Sequence, residues 1–129
     1  LRPEDIEAGE LHEEWYSVPT STREAIIRCR AKGGRVIAVG TTVTRTLEAA
    51  TKPNESVPIA GDNVTRIFLQ EGYKFRCVNG LLTNFHLPKT SLLMLVSAFA
   101  GREKISSAYK EAILKRYRFY SYGDAMLIL

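Results

Sequence analysis

The segment Thr83-Asn84-Phe85-His86-Leu87-Pro88-Lys89-Thr90-Ser91 runs straight into Leu92-Leu93-Met94-Leu95-Val96-Ser97-Ala98-Phe99-Ala100-Gly101, a polar knot followed by an uncharged apolar stretch. A helix formed there has no charged face, so in a soluble protein other elements must surround it. At about ten residues it is half the length needed to cross a bilayer. Polar groups at the start of a buried helix are held in place by it, and its free N–H groups favour anions. The rest of the chain therefore has to supply walls for this helix and partners for His86 and Lys89.

A chain of 129 residues, 45% of them hydrophobic, fits one domain with its own core. The net charge of +4 is unevenly spread. Residues 1–14 hold six acids against Arg2, a net of −5, which leaves +9 on the remainder from 17 basic and 8 acidic residues. A basic body suits a phosphate-rich partner, but on charge alone an ordinary solvated surface is the favoured reading. Cys29 and Cys77 lie far apart and match neither a zinc spacing nor a redox pair, so reduced, packed thiols are expected. No signal peptide or membrane span is visible. The chain opens on Leu1 rather than Met, which predicts further sequence upstream.

Leu11 to Val18 reads as a strand ending at Pro19, with His12, Glu14 and Tyr16 on one face and Trp15 and Ser17 on the other. His12 beside Glu13 and Glu14 has the composition of an acid–base or metal pair, but a lone histidine among acids reads first as a surface pair. Ser21-Thr22-Arg23-Glu24 is a capping box that predicts a helix through Lys32, stopped by Gly33-Gly34. Arg35 to Val39 is a short continuous apolar run of the buried, parallel type, and helix, glycine turn and buried strand together imply an α/β layer.

Gly40-Thr41-Thr42-Val43-Thr44-Arg45 follows at that strand's carboxyl end, where α/β sheets place ligand crevices. The helix start offers N–H donors, the threonines offer hydroxyls, and Arg45 offers a fork for a carboxylate or phosphate. No P-loop or dinucleotide glycine pattern is present, and threonine N-caps alone explain most of the local pattern. Thr51 to Asn63 reads as an exposed loop. Arg66–Leu69, Tyr73–Val78 and Leu81–Asn84 read as strands, with Asn79-Gly80 as a hairpin turn between the last two. Beyond Gly101, the residues Ile105, Ala108, Tyr109, Ala112 and Ile113 share a helical face. Arg116 to Asp124 interleaves Arg with Tyr, as suits base stacking and phosphate contacts or equally a half-buried sheet, and Ala125–Leu129 closes as an apolar strand. Asp124 after Gly123 reads as a turn aspartate or as a base or ribose-hydroxyl acceptor.

In order and spacing, three of these segments resemble the signatures of the S-adenosylmethionine:tRNA ribosyltransferase-isomerase family of queuosine biosynthesis. They are Gly34 to Thr42 continuing through Thr44-Arg45-Thr46-Leu47-Glu48; Thr83 to Lys89 with Leu92 to Gly101; and Tyr117 to Leu127. The acidic opening, with Asp5-Ile6 and His12 near Trp15-Tyr16, also fits. Arg66 stands where an acid is expected before Ile67-Phe68. Members of this family are longer at the N-terminus. The resemblance therefore implies that residues 1–129 are a single, N-terminally truncated piece: the C-terminal part of the α/β domain, a mixed sheet flanked by helices. A Pro-Thr-Ala-Gly-Leu-His-type motif and an inserted β-barrel domain would lie upstream.

The resemblance further implies a cytoplasmic, metal-independent enzyme that moves and rearranges the ribosyl part of S-adenosylmethionine onto an aminomethyl-deazaguanine base in the tRNA anticodon. S-adenosylmethionine is then a co-substrate rather than a true cofactor, and a monomer is expected. On this basis His86 is the acid or base, and Asp124 orients it or holds a ribose hydroxyl. Thr41, Thr42 and Arg45 bind the methionine carboxylate or a phosphate. Asn84 and Lys89 contact substrate or tRNA backbone, and Arg116, Arg118 and Tyr120 contact tRNA. Without the resemblance, two other readings stand: a non-catalytic RNA-binding module using the Tyr-rich end, or a small-ligand α/β domain using only the Gly40-Thr41-Thr42 crevice.

Overall fold

The computed structural model describes residues 10–85, 91–117 and 124–129, and among these residues there are two sheets and four helices. Strand β1 (Glu10–Val18) pairs antiparallel with β3 (Gly61–Ile67), Trp15 opposite Val64 and Val18 opposite Gly61. β3 begins inside the span expected as loop, because β1 supplies partners for Gly61, Asp62 and Asn63, and tertiary pairing overrides weak strand propensity. Phe68 and Leu69, expected to continue the strand, leave it and enter the core at 4% and 1% exposure.

Helix α1 (Thr20–Ala31) starts one residue before the expected capping box. Pro19 is its N-cap, with φ already at −63°, and its carbonyl takes the Thr22 and Arg23 amides, so no side chain caps the helix. The glycine stop forms as expected: Gly33 takes φ +71° and the Gly34 amide returns to the Cys29 carbonyl.

The second sheet has the order β2 (Ile37–Val39), β4 (Gly80–Asn84), β5 (Ala125–Ile128). β2 and β4 run parallel and β4 and β5 antiparallel, so the sheet is mixed. Helix α2 (Thr41–Ala50) packs against strands of both sheets, while α3 (Ser91–Ala100) and α4 (Arg102–Leu114) pack on each other. Residues Ala38, Leu81 and Met126 form the inner face of the mixed sheet, in a core with Leu47, Leu95, Val96, Ile105, Tyr109 and Ala112. Among the described residues no helix is long and apolar enough to cross a membrane.

Four further expectations change. Val39 is 65% exposed, so β2 is parallel as read but buried on one face only. Its outer neighbours Leu82 and Leu127 are also exposed. Among the described side chains of the apolar helix α3, those fully enclosed are Leu95 and Val96. On α4, Ile105, Tyr109 and Ala112 are buried as predicted, but Ile113 is 65% exposed and Ala108 is also on the surface.

The fourth change is the hairpin. Residues Tyr73–Val78 form no strand, and Asn79-Gly80 is not a hairpin turn. The successive amides of Arg76, Cys77 and Val78 all donate to the carboxylate of Glu48, which leaves no ladder donors for a strand there. Asn79 instead opens β4 beside β2: its amide and that of Gly80 donate to the Val36 carbonyl, and its Oδ1 accepts the Val36 amide.

Candidate active site at the carboxyl edge of the mixed sheet

Because β2 and β4 are parallel, their carboxyl ends lie at the same edge, and β5 begins there. Val39 is level with Leu82, Asn84 is level with Ala125, and the Gly40 amide donates to the Leu82 carbonyl at 2.8 Å. This register brings Gly40-Thr41-Thr42, Asn84-Phe85 and Asp124 to one edge, although they are more than eighty residues apart in sequence at the extremes.

Gly40 makes the turn from β2 into α2 in a single residue, at φ 95° and ψ 154°, a conformation a side chain strongly disfavours. It is also the N-cap of α2, and no side chain caps the helix, so the expected threonine caps are absent. Thr44 Oγ1 turns back to the Gly40 carbonyl at 3.0 Å, Thr41 is buried at 8% exposure, and Thr42 faces outward. The first turn of α2 thus keeps backbone N–H groups with no side-chain cap, and the Thr42 side chain is exposed beside them.

Arg45 lies one turn further on, engaged with the other sheet. Its Nη1 meets both carboxylate oxygens of Glu14 at 3.0 Å, and its Nη2 donates to the Ile67 carbonyl at 3.4 Å. Asn84 ends β4 with its side chain on the exposed face, and Phe85 turns inward against Tyr109 and Tyr117, with ring centroids 5.4 and 6.0 Å apart. Asp124 sits half-buried at the start of β5. Arg116 closes α4 in the left-handed region at φ 57° and is exposed. His86, Lys89, Arg118 and Tyr120 lie outside the described residues. Among the described residues, no group of three or more His, Cys, Asp or Glu could hold a metal ion. Both cysteines are free, Cys77 fully buried and Cys29 partly.

The sequence reading missed a polar cluster at the opposite, amino edge. Glu48 is fully buried, and its Oε1 accepts from Tyr73 Oη and the Arg76 amide at 2.9 and 2.7 Å. Its Oε2 accepts from the Cys77 and Val78 amides, each at 2.9 Å. Burial, reinforced by the Glu48 carboxylate, pushes both the Tyr73 hydroxyl and the Cys77 thiol above their ordinary ranges, so both stay protonated. Arg76 reaches the Thr51 carbonyl and stands over the Tyr73 ring. A signal existed: Thr41, Thr44, Glu48 and Thr51 recur at helical spacing, which places a glutamate on the inner stripe of α2.

An α/β layer with an uncapped helix start and polar residues at the carboxyl ends of its strands has the arrangement in which open α/β sheets place ligand crevices. Comparison with known proteins fixes the family. A model described as queuosine biosynthesis protein matches residues 1–128, and the chain belongs to that family. It is 53% identical over 96% of its length to the S-adenosylmethionine:tRNA ribosyltransferase-isomerase of Gloeobacter violaceus, and 54% identical over 99% to that of Ralstonia nicotianae. It spans only 35% and 36% of those two relatives. The crystal structure of S-adenosylmethionine tRNA ribosyltransferase from Thermotoga maritima superposes on 89% of the chain with a TM-score of 0.79 at 45% identity, and the chain covers 40% of it. The chain is thus a partial, C-terminal-type segment of this α/β fold, and its relatives are named as ribosyltransferase-isomerases.

Proposed function

We propose that the carboxyl edge of the mixed sheet forms one side of the active site of a tRNA-modifying enzyme. The complete enzyme transfers and isomerises the ribosyl moiety of S-adenosylmethionine onto 7-aminomethyl-7-deazaguanine in the tRNA anticodon. The products are epoxyqueuosine in the tRNA, adenine and methionine. S-adenosylmethionine is consumed as a co-substrate and supplies no methyl group. The observation that carries this reading is the convergence of Gly40-Thr41-Thr42, Asn84 and Asp124 at one sheet edge, in a chain whose relatives bear that enzyme name.

The reaction needs a base for the proton beside the sulfonium, groups to accept departing adenine, and polar contacts to ribose and methionine. His86 serves as the acid or base, since a neutral imidazole works near pH 7. Asp124 orients it or holds a ribose hydroxyl. Thr42, with Thr41 behind it, and the uncapped start of α2 receive the methionine carboxylate or a phosphate. Arg45 joins them by exchanging Glu14, whose side chain is 51% exposed, for the substrate carboxylate. Asn84 and Lys89 contact substrate or tRNA backbone, and Arg116, Arg118 and Tyr120 contact tRNA. The working compartment is the cytoplasm, where tRNA and S-adenosylmethionine meet, and the enzyme acts as a monomer without a metal.

Adenine release from S-adenosylmethionine, measured with tRNA carrying the aminomethyl-deazaguanine base, tests the reading in the complete family polypeptide that contains this segment. Release that depends on the modified base is expected; no release overturns the reading. His86→Ala retaining full turnover would remove His86 from its role. Residues 1–129 alone are expected to release no adenine.

A further inference from the structure

We propose that Glu48 is a positioning residue for the site at the carboxyl edge: it holds α2, and with it Gly40-Thr41-Thr42, in register with β4 and Asn84. The inference rests on the reading of that edge as the active site.

The inner face of α2 carries Thr41, Thr44, Leu47, Glu48 and Thr51, with Thr44 and Glu48 at 0% exposure. Two of the threonines spend their hydroxyls on their own helix, Thr44 on the Gly40 carbonyl and Thr51 on the Leu47 carbonyl at 2.7 Å. Leu47 and Ala50 contribute apolar contact, which has no preferred direction. Glu48 is different: it reaches out of the helix and takes four donors from the segment that becomes β4 two residues after Val78. Every partner is a donor, so the side chain must present acceptors on both oxygens, which a carboxylate does and an amide does not. A buried carboxylate is a costly choice for stability alone, because an apolar residue of similar volume serves as well or better. What it adds is direction. Seven helical residues separate Glu48 from Thr41, about 10 Å along a stiff rod, so a slide or rotation at Glu48 is carried to the helix start. At that end, the Gly40 amide on the Leu82 carbonyl is a direct reporter of α2 against β4.

The test uses the complete family polypeptide with Glu48→Gln and Glu48→Asp, assayed well below each variant's unfolding temperature. Glu48→Gln sets an NH2 against donors. Its kcat/KM for adenine release is expected to fall at least tenfold, with KM for S-adenosylmethionine raised; Glu48→Asp, which keeps two acceptor oxygens, is expected to recover part of the loss. Hydrogen exchange at the Gly40 amide is expected to quicken selectively, relative to core amides such as Leu81. A folded Glu48→Gln enzyme with kcat and KM within threefold of the parent overturns the proposal, even if its unfolding temperature drops. Where Glu48→Gln does not fold, Tyr73→Phe removes one donor and keeps the ring, and the same threefold boundary in KM or kcat/KM decides. A parent enzyme that releases no adenine sinks the functional reading instead; the Gly40 exchange rate then decides the register claim, unchanged exchange overturning it.

Discussion

Arg30 and Asn79 meet across the amino edge of the mixed sheet: Arg30 Nη1 donates to Asn79 Oδ1 at 2.5 Å, and the same oxygen accepts the Val36 amide at 2.9 Å. One side-chain oxygen therefore joins α1, the residue leading into β2, and the residue leading into β4. Arg30 Nη2 adds a bond to the Cys77 carbonyl. With Glu48 holding the Cys77 amide from the other side, α1 and α2 grip the same short segment at its two polar ends.

Asn79→Ala removes the shared acceptor of the Val36 amide and Arg30 Nη1. A loss of about 1–2 kcal/mol is expected, at the scale of one or two net hydrogen bonds. Asn79→Asp keeps the shared acceptor and gives Arg30 a charged partner, so it should stay within about 0.5 kcal/mol of the parent. Urea-unfolding midpoints at pH 7 separate the two, and equal losses from both variants would contradict the assignment of Oδ1 as the joint.

Gly80 is required by space rather than by backbone angle. A Cβ there would lie 2.5 Å from Ile37 Cδ1 and 3.1 Å from the Ile128 carbonyl. The isoleucine tip can move aside, but the carbonyl belongs to the neighbouring strand and can yield only by shifting β5. Gly80→Ala is expected to cost about 1–3 kcal/mol, as overpacking does, and to loosen amide protection along β5 more than along β1. Calorimetry and hydrogen exchange read the two parts independently.

The Glu14–Arg45 pair is a case where a suspected ligand has a protein partner. Its geometry is good, but the Glu14 side chain is 51% exposed, so a double-mutant cycle of Glu14→Gln with Arg45→Gln should give a coupling below about 1 kcal/mol that shrinks with salt. Glu14→Gln should cost less than Arg45→Gln, whose guanidinium is mostly buried and also serves the Ile67 carbonyl. A coupling of several kcal/mol would mean that the pair is a fixed strut and that Arg45 is not available to substrate.

What was legible in the sequence was local and periodic. The strand before Pro19, the helix stopped by Gly33-Gly34, the glycine turn after β2 and the amphipathic α4 all follow from short-range chemistry, and each is present. The misses share one cause. Tyr73–Val78 has strand composition and Asn79-Gly80 has hairpin composition, yet Glu48, about 25 to 30 positions earlier, claims three consecutive amides. No local pattern announces such a partner. The same holds for Arg45, whose fork is filled by a glutamate 31 positions away. Site segments were identifiable by type, but their meeting at one edge depends on β4 lying between a parallel and an antiparallel neighbour, which pairing register alone determines.

Tyr73 and Cys77 make stability fall on the alkaline side. Both groups have folded-state pKa values raised by burial and by Glu48. A raised acid stays protonated in the native state while the unfolded chain ionises, so its contribution is complete below the unfolded value and is lost as pH climbs through the folded one. The unfolded values are about 8.5 for cysteine and about 10 for tyrosine. Unfolding free energy should therefore begin to decline above about pH 8.5 through Cys77 and steepen above about pH 10 through Tyr73. Cys77→Ala should flatten the first part and Tyr73→Phe the second, in urea titrations taken at half-unit steps from pH 7 to 11. Thiol labelling supplies a further check at pH 8: the fully buried Cys77 should react only as fast as the segment opens, and Cys29, partly exposed, should react first. Equal labelling rates in the native protein would show that the Glu48 cluster does not hold the Cys77 segment closed.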